Sequence, residues 1–282
     1  MTYTYITHIP SPPLNTYIDD LYYWSGPPPH PRLKVLPLPS LHLMVNFGDA
    51  FQVHAPDQTE PFTVCTHSWT VGLWTTYHVV SWPRNVEFFG IHFKAGGVYP
   101  FFGFPLSELH NQVASLDAIW GHFAAELRER LYAAPTVEAR FSLLEQLLLS
   151  RLRAEPHGLD VVQYAVAEIA GHKGILSIRA LSDHIGISQS HLDTHFKRMV
   201  GIPPKTLARL YRFGHIHRSI DPAQAIDWAE IAHQSGYYDQ SHFNKDFIAF
   251  LGHSPTDYLR LRREQNITDA EHNDLLRPLP TD

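Results

Sequence analysis

Leu181-Ser-Asp-His-Ile-Gly186-Ile-Ser-Gln-Ser-His191-Leu192-Asp-Thr-His-Phe196 is echoed about 50 residues later by Ile231-Ala-His-Gln-Ser-Gly236-Tyr-Tyr-Asp-Gln-Ser-His242-Phe243-Asn-Lys-Asp-Phe247. The first stretch continues to Gly201 and Pro204, the second to Gly252 and Pro255. Each reads as a short helix, a turn at glycine, a polar helix start, a longer helix and a Gly-x-x-Pro stop. That order is the shape of a helix-turn-helix, whose second helix lies in a DNA major groove. Plain helical packing is the competing reading. The recurrence of polar helix starts together with the buried pattern favours DNA.

Around this pair the chain is organised as helices with short turns. Ser177 and Ser188 stand where N-caps of the first unit belong, and Asp239 where the second recognition helix begins. Asp227 or Asp221 opens the second unit, with Trp228, Ile231 and Ala232 expected inside. A long helix from Lys205 through Arg218 links the units. Leu192 and Phe196 face the core one turn apart, which leaves Gln189, Ser190, Asp193, Thr194 and Lys197 outward. In the second unit His242, Phe243 and Phe247 are expected inward, leaving Gln240, Ser241, Asn244 and Lys245 outward. Gln and Asn pair with adenine, Lys with guanine or phosphate, Asp with cytosine, and Ser or Thr with either edge. Arg209, Arg212 and Arg218 on the linking helix are candidates for phosphate contacts, which position a protein without reading sequence.

Bulk composition is compatible with this. The 282 residues carry 22 Lys and Arg against 28 Asp and Glu, a net charge of -6 that excludes a protein coating nucleic acid throughout. Residues 1–156 hold about 9 basic and 13 acidic side chains, residues 157–265 about 12 and 11. A near-neutral segment still binds DNA when its bases share one face, because local phosphate contacts decide. Cys65 is the only cysteine, so neither an internal disulfide nor a cysteine-built zinc site is available, which fits a reducing cytoplasm. No signal peptide and no apolar stretch of bilayer length is read, and no membrane partner is expected.

The first 110 residues differ in character. Pro27-Pro28-Pro29 and Pro37-Leu-Pro39 break helices, and short alternating runs suggest strands. Leu41–Phe47 and Ala50–His54 flank Gly48-Asp49 and predict a hairpin. Further strands are expected at 68–74, 77–82 and 86–93, together a sandwich or a small barrel. From Ser115 the period becomes helical: Leu116, Ile119, Trp120, Phe123, Leu127 and Leu131, then Phe141, Leu144, Leu147, Leu148 and Leu152 after Pro135. This leucine stripe suits either a cap on the barrel or a dimer seam. The polar, acidic residues past Gln265 are expected to be disordered.

With those residues in view, the C-terminal hundred residues resemble the AraC/XylS family of bacterial transcription regulators. The second unit carries the more telling match: Ile231-Ala, Gly236-Tyr-Tyr-Asp-Gln-Ser-His-Phe243, Phe247, Gly252-His-Ser-Pro255 and Tyr258-Leu-Arg260. The first matches through Leu181, Gly186, Ser188, Leu192, Phe196-Lys197, Gly201 and Pro204. The resemblance implies an α+β chain of two domains. Residues 1–114 form a small cupin-like β-barrel sensor, 115–154 a helical dimerisation or capping segment, 159–262 the DNA-binding domain, and 266–282 a disordered tail. Family members often place Arg where Thr194 stands; Thr194 cannot make the bidentate guanine contact, and Asp193 beside it repels phosphate.

The expected function is sequence-specific regulation of transcription, with double-stranded DNA as partner. RNA polymerase, a small-molecule effector and a homodimer partner are further candidates. Activation and repression are not distinguished. The alternative is a metal-dependent cupin-type enzyme with an appended helical domain. Such a site needs paired histidines at alternate strand positions, whereas His42, His54, His67, His78 and His92 fall on separate strands; His215-Arg-His217 lies on the linking helix with its rings about 200° apart. No metal, cofactor or catalytic residue is therefore assigned, and Cys65 reads as an inert small hydrophobe. Phe47, Phe51, Trp69, Trp74, Tyr77, Trp82, Phe88 and Phe93 are read as barrel core or as the lining of an apolar pocket.

Overall fold

The computed structural model describes residues 3–28, 30–153, 156–264 and 279–280. Ten strands come first: β1 (Thr4–His8), β2 (Ile18–Ser25), β3 (Arg32–Val35), β4 (Leu41–Asn46), β5 (Phe51–His54), β6 (Thr63–Cys65), β7 (Ser68–Val71), β8 (His78–Ser81), β9 (Glu87–Phe93) and β10 (Val113–Ser115). They form two sheets, ordered β1-β2-β9-β4-β7-β10 and β3-β8-β5-β6. A short strand β11 (Leu279–Pro280) joins the edge of the second against β3. Of the tail expected to be disordered, 266–278 and 281–282 lie outside the described residues.

The expected closed cupin-like barrel is overturned. Both sheets are open, since among the described residues β1 and β10 each pair on one side only and no ladder joins the two sheets. The hairpin expected at Gly48-Asp49 is also absent. β4 pairs with β7 and β9 in the first sheet, while β5 pairs with β6 and β8 in the second. The turn instead carries the chain between sheets. The buried Asn46 amide donates to Gly48 O (3.3 Å), Asp49 O (2.9 Å) and Thr66 O (2.7 Å). Gly48 lies so close to the neighbouring chain that a Cβ there would sit 2.3 Å from Asn85 O.

The inner strands of the first sheet, β2, β4, β7 and β9, bury side chains on both faces. On β2, Leu21 and Tyr23 face one core while Tyr22 and Trp24 face the other; on β9, Phe89 and Phe88 divide in the same way. The smaller core lies between the sheets. The larger one lies under the helices.

Helix α1 (Tyr99–Phe102) follows β9, and a 3-10 turn spans Leu106–Leu109. The apolar period beginning at Leu116 is split by Gly121, at φ 58°, into α2 (Leu116–Trp120) and α3 (His122–Ala133). Helix α4 (Val137–Arg151) follows. Its Phe141, Leu144, Leu147 and Leu148 are buried within the chain's own core. The remaining helices are α5 (Leu159–Gly171), α6 (Ile178–Ile185), α7 (Gln189–Met199), α8 (Pro204–Ser219), α9 (Trp228–Gln234), α10 (Gln240–Leu251) and α11 (Pro255–Glu264). Their inner faces join the same continuous core as α3 and α4.

The two halves meet through the C-terminal ends of α7 and α10. Arg198 donates to Tyr99 Oη at 2.6 Å, and Gly201 packs on Leu106. The buried Lys34 of β3 donates to Leu251 O at 3.2 Å, and Tyr77 packs on Gly252. Gly252 takes φ 75° at the end of α10, and a Cβ there would lie 2.5 Å from Tyr77 Cε1.

Candidate nucleic-acid interface

Each unit is built from its caps inward. Ser177 Oγ accepts from Ala180 N, and α6 ends at Gly186 in the left-handed region (φ 82°). Ser188 Oγ then accepts from His191 N to start α7. In the second unit Asp227, not Asp221, caps α9 by accepting from Ala229 N (2.9 Å) and Glu230 N (3.1 Å). Gly236 turns at φ 72°, and Asp239 accepts from His242 N at 2.7 Å to start α10. Each cap satisfies an amide that the first helical turn leaves unpaired. Ala232 is buried, whereas Trp228 and Ile231 are only half-buried.

Burial then sorts the two recognition helices. Leu192, Phe196 and Met199 hold α7, and Phe243, Phe247, Phe250 and Leu251 hold α10. Gln189, Ser190, Thr194 and Lys197 are exposed and Asp193 is half-buried. Gln240, Ser241 and Lys245 are exposed, while Asn244 is half-buried with its Oδ1 unpartnered among the described residues. Thr194 Oγ1 donates back to Ser190 O at 2.9 Å, so its hydroxyl proton is held by its own helix.

His242 corrects the expectation that it points inward. It is exposed and meets Tyr237 edge-on, at 5.4 Å between centroids. The core positions of α10 are already filled by Phe243 and Phe247, whose direction from the helix axis excludes the neighbouring residue. Two further histidines of α7 were missed. His191 Nε2 and His195 Nε2 lie 2.7 Å apart, one donating to the other. Partial burial, followed by the charges of His191, His157 and Arg198, holds His195 below its ordinary pKa. The signal was their i,i+4 spacing on the polar side.

The linking helix α8 runs between the units. Arg209 donates to both carboxylate oxygens of Asp246, from Nε at 3.1 Å and from a terminal nitrogen at 2.5 Å; Tyr237 donates to the same carboxylate at 3.3 Å. That pairing raises the Arg209 pKa, and burial pushes the Tyr237 hydroxyl up. Arg212 is half-buried, donates to Gly174 O at 3.0 Å and lies over the Tyr237 ring. Lys205, Arg209 and Arg212 line one groove of about 490 Å³ together with His242 and Asp246. Arg218 is exposed further along α8. The groove runs from α8 to the polar side of α10 and sets three cations, Lys205, Arg209 and Arg212, against one carboxylate.

No group of three or more His, Cys, Asp or Glu side chains converges as a metal site among the described residues. Cys65 is buried, and burial pushes its thiol up to about 12, out of the range of a nucleophile. Among the described residues no helix is long and apolar enough to cross a membrane.

Two capped recognition helices with polar outer faces, joined by one rigid helix, define a helix-turn-helix regulator that binds DNA by sequence. Residues 181–261, spanning both units, match a family described as a helix-turn-helix domain, and residues 6–115 match a domain of unknown function, DUF6597. The helix-turn-helix match falls on the stretch of this chain that resembles the AraC/XylS family of transcriptional regulators. No curated protein matches it. Among solved structures, ToxT from Vibrio cholerae O395 is similar at 10% identity, with 84% of this chain and 97% of that chain covered and a TM-score of 0.42. The AraC-like transcriptional activator CuxR is similar at 13% identity, with 76% and 86% covered and a TM-score of 0.30.

Proposed function

We propose that α7 and α10 read successive major grooves of one duplex. In this reading Gln189, Ser190, Asp193, Thr194 and Lys197 face one groove, and Gln240, Ser241, Asn244 and Lys245 face the next. Arg212 and its neighbours on α8 meet the backbone between them. B-DNA repeats every ~34 Å, so one chain reads an asymmetric site of about two turns without a palindrome. The observation that carries this is the twin arrangement: two Ser- or Asp-capped helices, each with its apolar side buried and its polar N-terminal side exposed.

Residues 1–114 serve in this reading as the sensor, 115–154 as its brace and 159–262 as the DNA reader. Support for a sensor is a cavity of about 110 Å³ between the two sheets. Five of the eight aromatic residues expected there line it: Phe51, Trp69, Trp74, Trp82 and Phe88. Its wall also includes Val35 and His78, a directly paired couple of β3 and β8. Their chain neighbours, Lys34 and Tyr77, touch the end of α10. An effector filling the cavity acts by favouring one docking of α10 over another, and must bind the two states differently. RNA polymerase is the machinery acted on, and pairing with a second copy is tested by sedimentation.

The test is selection of bound sites from genomic DNA by the full-length protein, followed by gel shifts with Gln240→Ala and Gln189→Ala. Each loss should relax preference at different positions, about one helical turn apart. Relaxation at the same positions, or at none, would refute the two-groove reading.

A further inference from the structure

The cavity between the sheets holds polar atoms that its own walls leave unsatisfied. Trp74 and His78 both line it, are only 6% and 5% exposed, and stand with ring centroids 4.4 Å apart. Trp74 Nε1 and His78 Nδ1 have no hydrogen-bond partner among the described residues, and neither has Trp82 Nε1 further along the same wall. Buried polar atoms are normally paired, because leaving one bare costs about 1–3 kcal/mol. An indole N–H can only donate. The missing partner is therefore an acceptor.

The other two histidines of the wall are already engaged with neighbours. His42 Nε2 lies 2.9 Å from Ser40 Oγ, and His92 Nδ1 lies 2.8 Å from Asp20 Oδ1. Among the described residues no Lys, Arg, Asp or Glu lines the cavity. Burial holds His78 down to about 4 and His42 well below its ordinary value, so neither supplies a positive charge near neutrality. A buried anion there would have no counter-charge. The remaining wall is largely ring: Tyr22, Phe51, Trp69, Trp82 and Phe88 surround the space. Flat rings offer offset and edge contacts to another ring. The space, about 110 Å³, is near the roughly 150 Å³ at which an apolar cavity accepts benzene.

We propose that this cavity takes a neutral single-ring aromatic molecule bearing a hydrogen-bond-accepting oxygen, oriented by Trp74 and His78. The inference rests on the effector reading above and specifies its ligand class. A carbonyl or ether oxygen would accept from the Trp74 indole. The ring would lie among the aromatic walls, and its polar end would stand beside the chain segment that meets α10.

Calorimetry on the full-length protein near pH 7 tests this with three probes of similar size: acetophenone, ethylbenzene and benzoate. Acetophenone should bind about tenfold more tightly than ethylbenzene, the worth of one buried hydrogen bond. Benzoate should bind at least about tenfold more weakly than acetophenone. Trp74→Phe should erase the advantage of acetophenone while leaving ethylbenzene within about twofold. Equal affinity for acetophenone and ethylbenzene in the unaltered protein overturns the orienting role, whether or not the variant folds. Benzoate as tight as acetophenone overturns neutrality. Binding of none of the three, or binding that survives Val53→Trp, overturns the ligand class altogether. If the probes bind as expected but operator affinity in a gel shift is unmoved, the ligand class stands and the effector reading falls.

Discussion

Asp246→Asn removes one charge and leaves the side chain's shape. Asp246 is 4% exposed and accepts two hydrogen bonds from Arg209 and one from Tyr237. In the variant the amide NH₂ faces the guanidinium in either orientation, because Arg209 donates to both oxygens, so a donor meets a donor. Breaking a fully buried ion pair costs about 3–5 kcal/mol. The Arg209 side chain is 36% exposed, so water recovers part of that loss and we expect about 2–3 kcal/mol. Calorimetric melting gives the readout. If the two halves melt as one unit, Tm should fall by about 5–10 °C; if the C-terminal half melts alone, by about 10–20 °C. The continuous core favours the first. Arg209→Met should cost at least as much as Asp246→Asn, because it leaves the buried Asp246 carboxylate without its counter-charge. The double variant should then lose less than the sum of the singles, by about 1–3 kcal/mol. Single-variant shifts under about 1 °C, or strict additivity, would refute the claim that this pair locks α10 to α8.

Other outcomes follow from the same geometry. Lys245→Ala should leave Tm unchanged, weaken operator binding and reduce the slope of log K against log salt by about 1; an unchanged slope removes Lys245 from the phosphate contacts. Ser188→Ala and Asp239→Ala each lose an N-cap and should cost about 0.5–2 kcal/mol in urea unfolding. His78 titrates near 6.5 when unfolded but is held down to about 4 in the fold, so its contribution is full above 6.5 and drains as pH falls toward 4. Stability should therefore drop by about 2 kcal/mol on going from about pH 7 to about pH 5, and His78→Phe should blunt that drop. Lys34→Met removes a charge-assisted bond to the C-terminal carbonyl of α10, and hydrogen exchange at Gly252 and His253 should quicken by about tenfold. Unaltered exchange there would mean that β3 does not restrain α10.

The DNA-binding half was legible because its signals are local. A cap is one side chain bonding an amide two or three residues on, and a left-handed turn needs glycine at one position. Ser177, Ser188, Asp239, Gly186 and Gly236 could therefore be read without a fold. Burial of Leu192, Phe196, Phe243 and Phe247 follows from helical period alone. His242 shows the limit of that method: an apolar stripe has an edge, and only packing against Tyr237 decides on which side a residue at the edge falls.

The N-terminal half was misread where pairing is long-range. Alternation announces a strand but not its neighbour, so β4 and β5 were joined in a hairpin although they belong to different sheets. The same limit made the histidines look scattered. His42 and His92 are directly opposed on neighbouring strands, with ring centroids 4.3 Å apart, and His78 lines the same cavity from the other sheet. The groove of Lys205, Arg209 and Arg212 is intermediate: period places the three cations on one helix edge, but Asp246 reaches Arg209 from a different unit.

By itself the amino-acid order determined that this chain carries two capped helix-turn-helix units with polar outer faces, since caps, turns and helical period act over fewer than five residues. Tertiary structure alone decided that the strands form two open sheets around an aromatic cavity, and that Lys34 and Tyr77 reach the end of the second recognition helix. Those contacts join residues far apart in the chain. They are set by competing burial of whole strand faces, which no local pattern encodes.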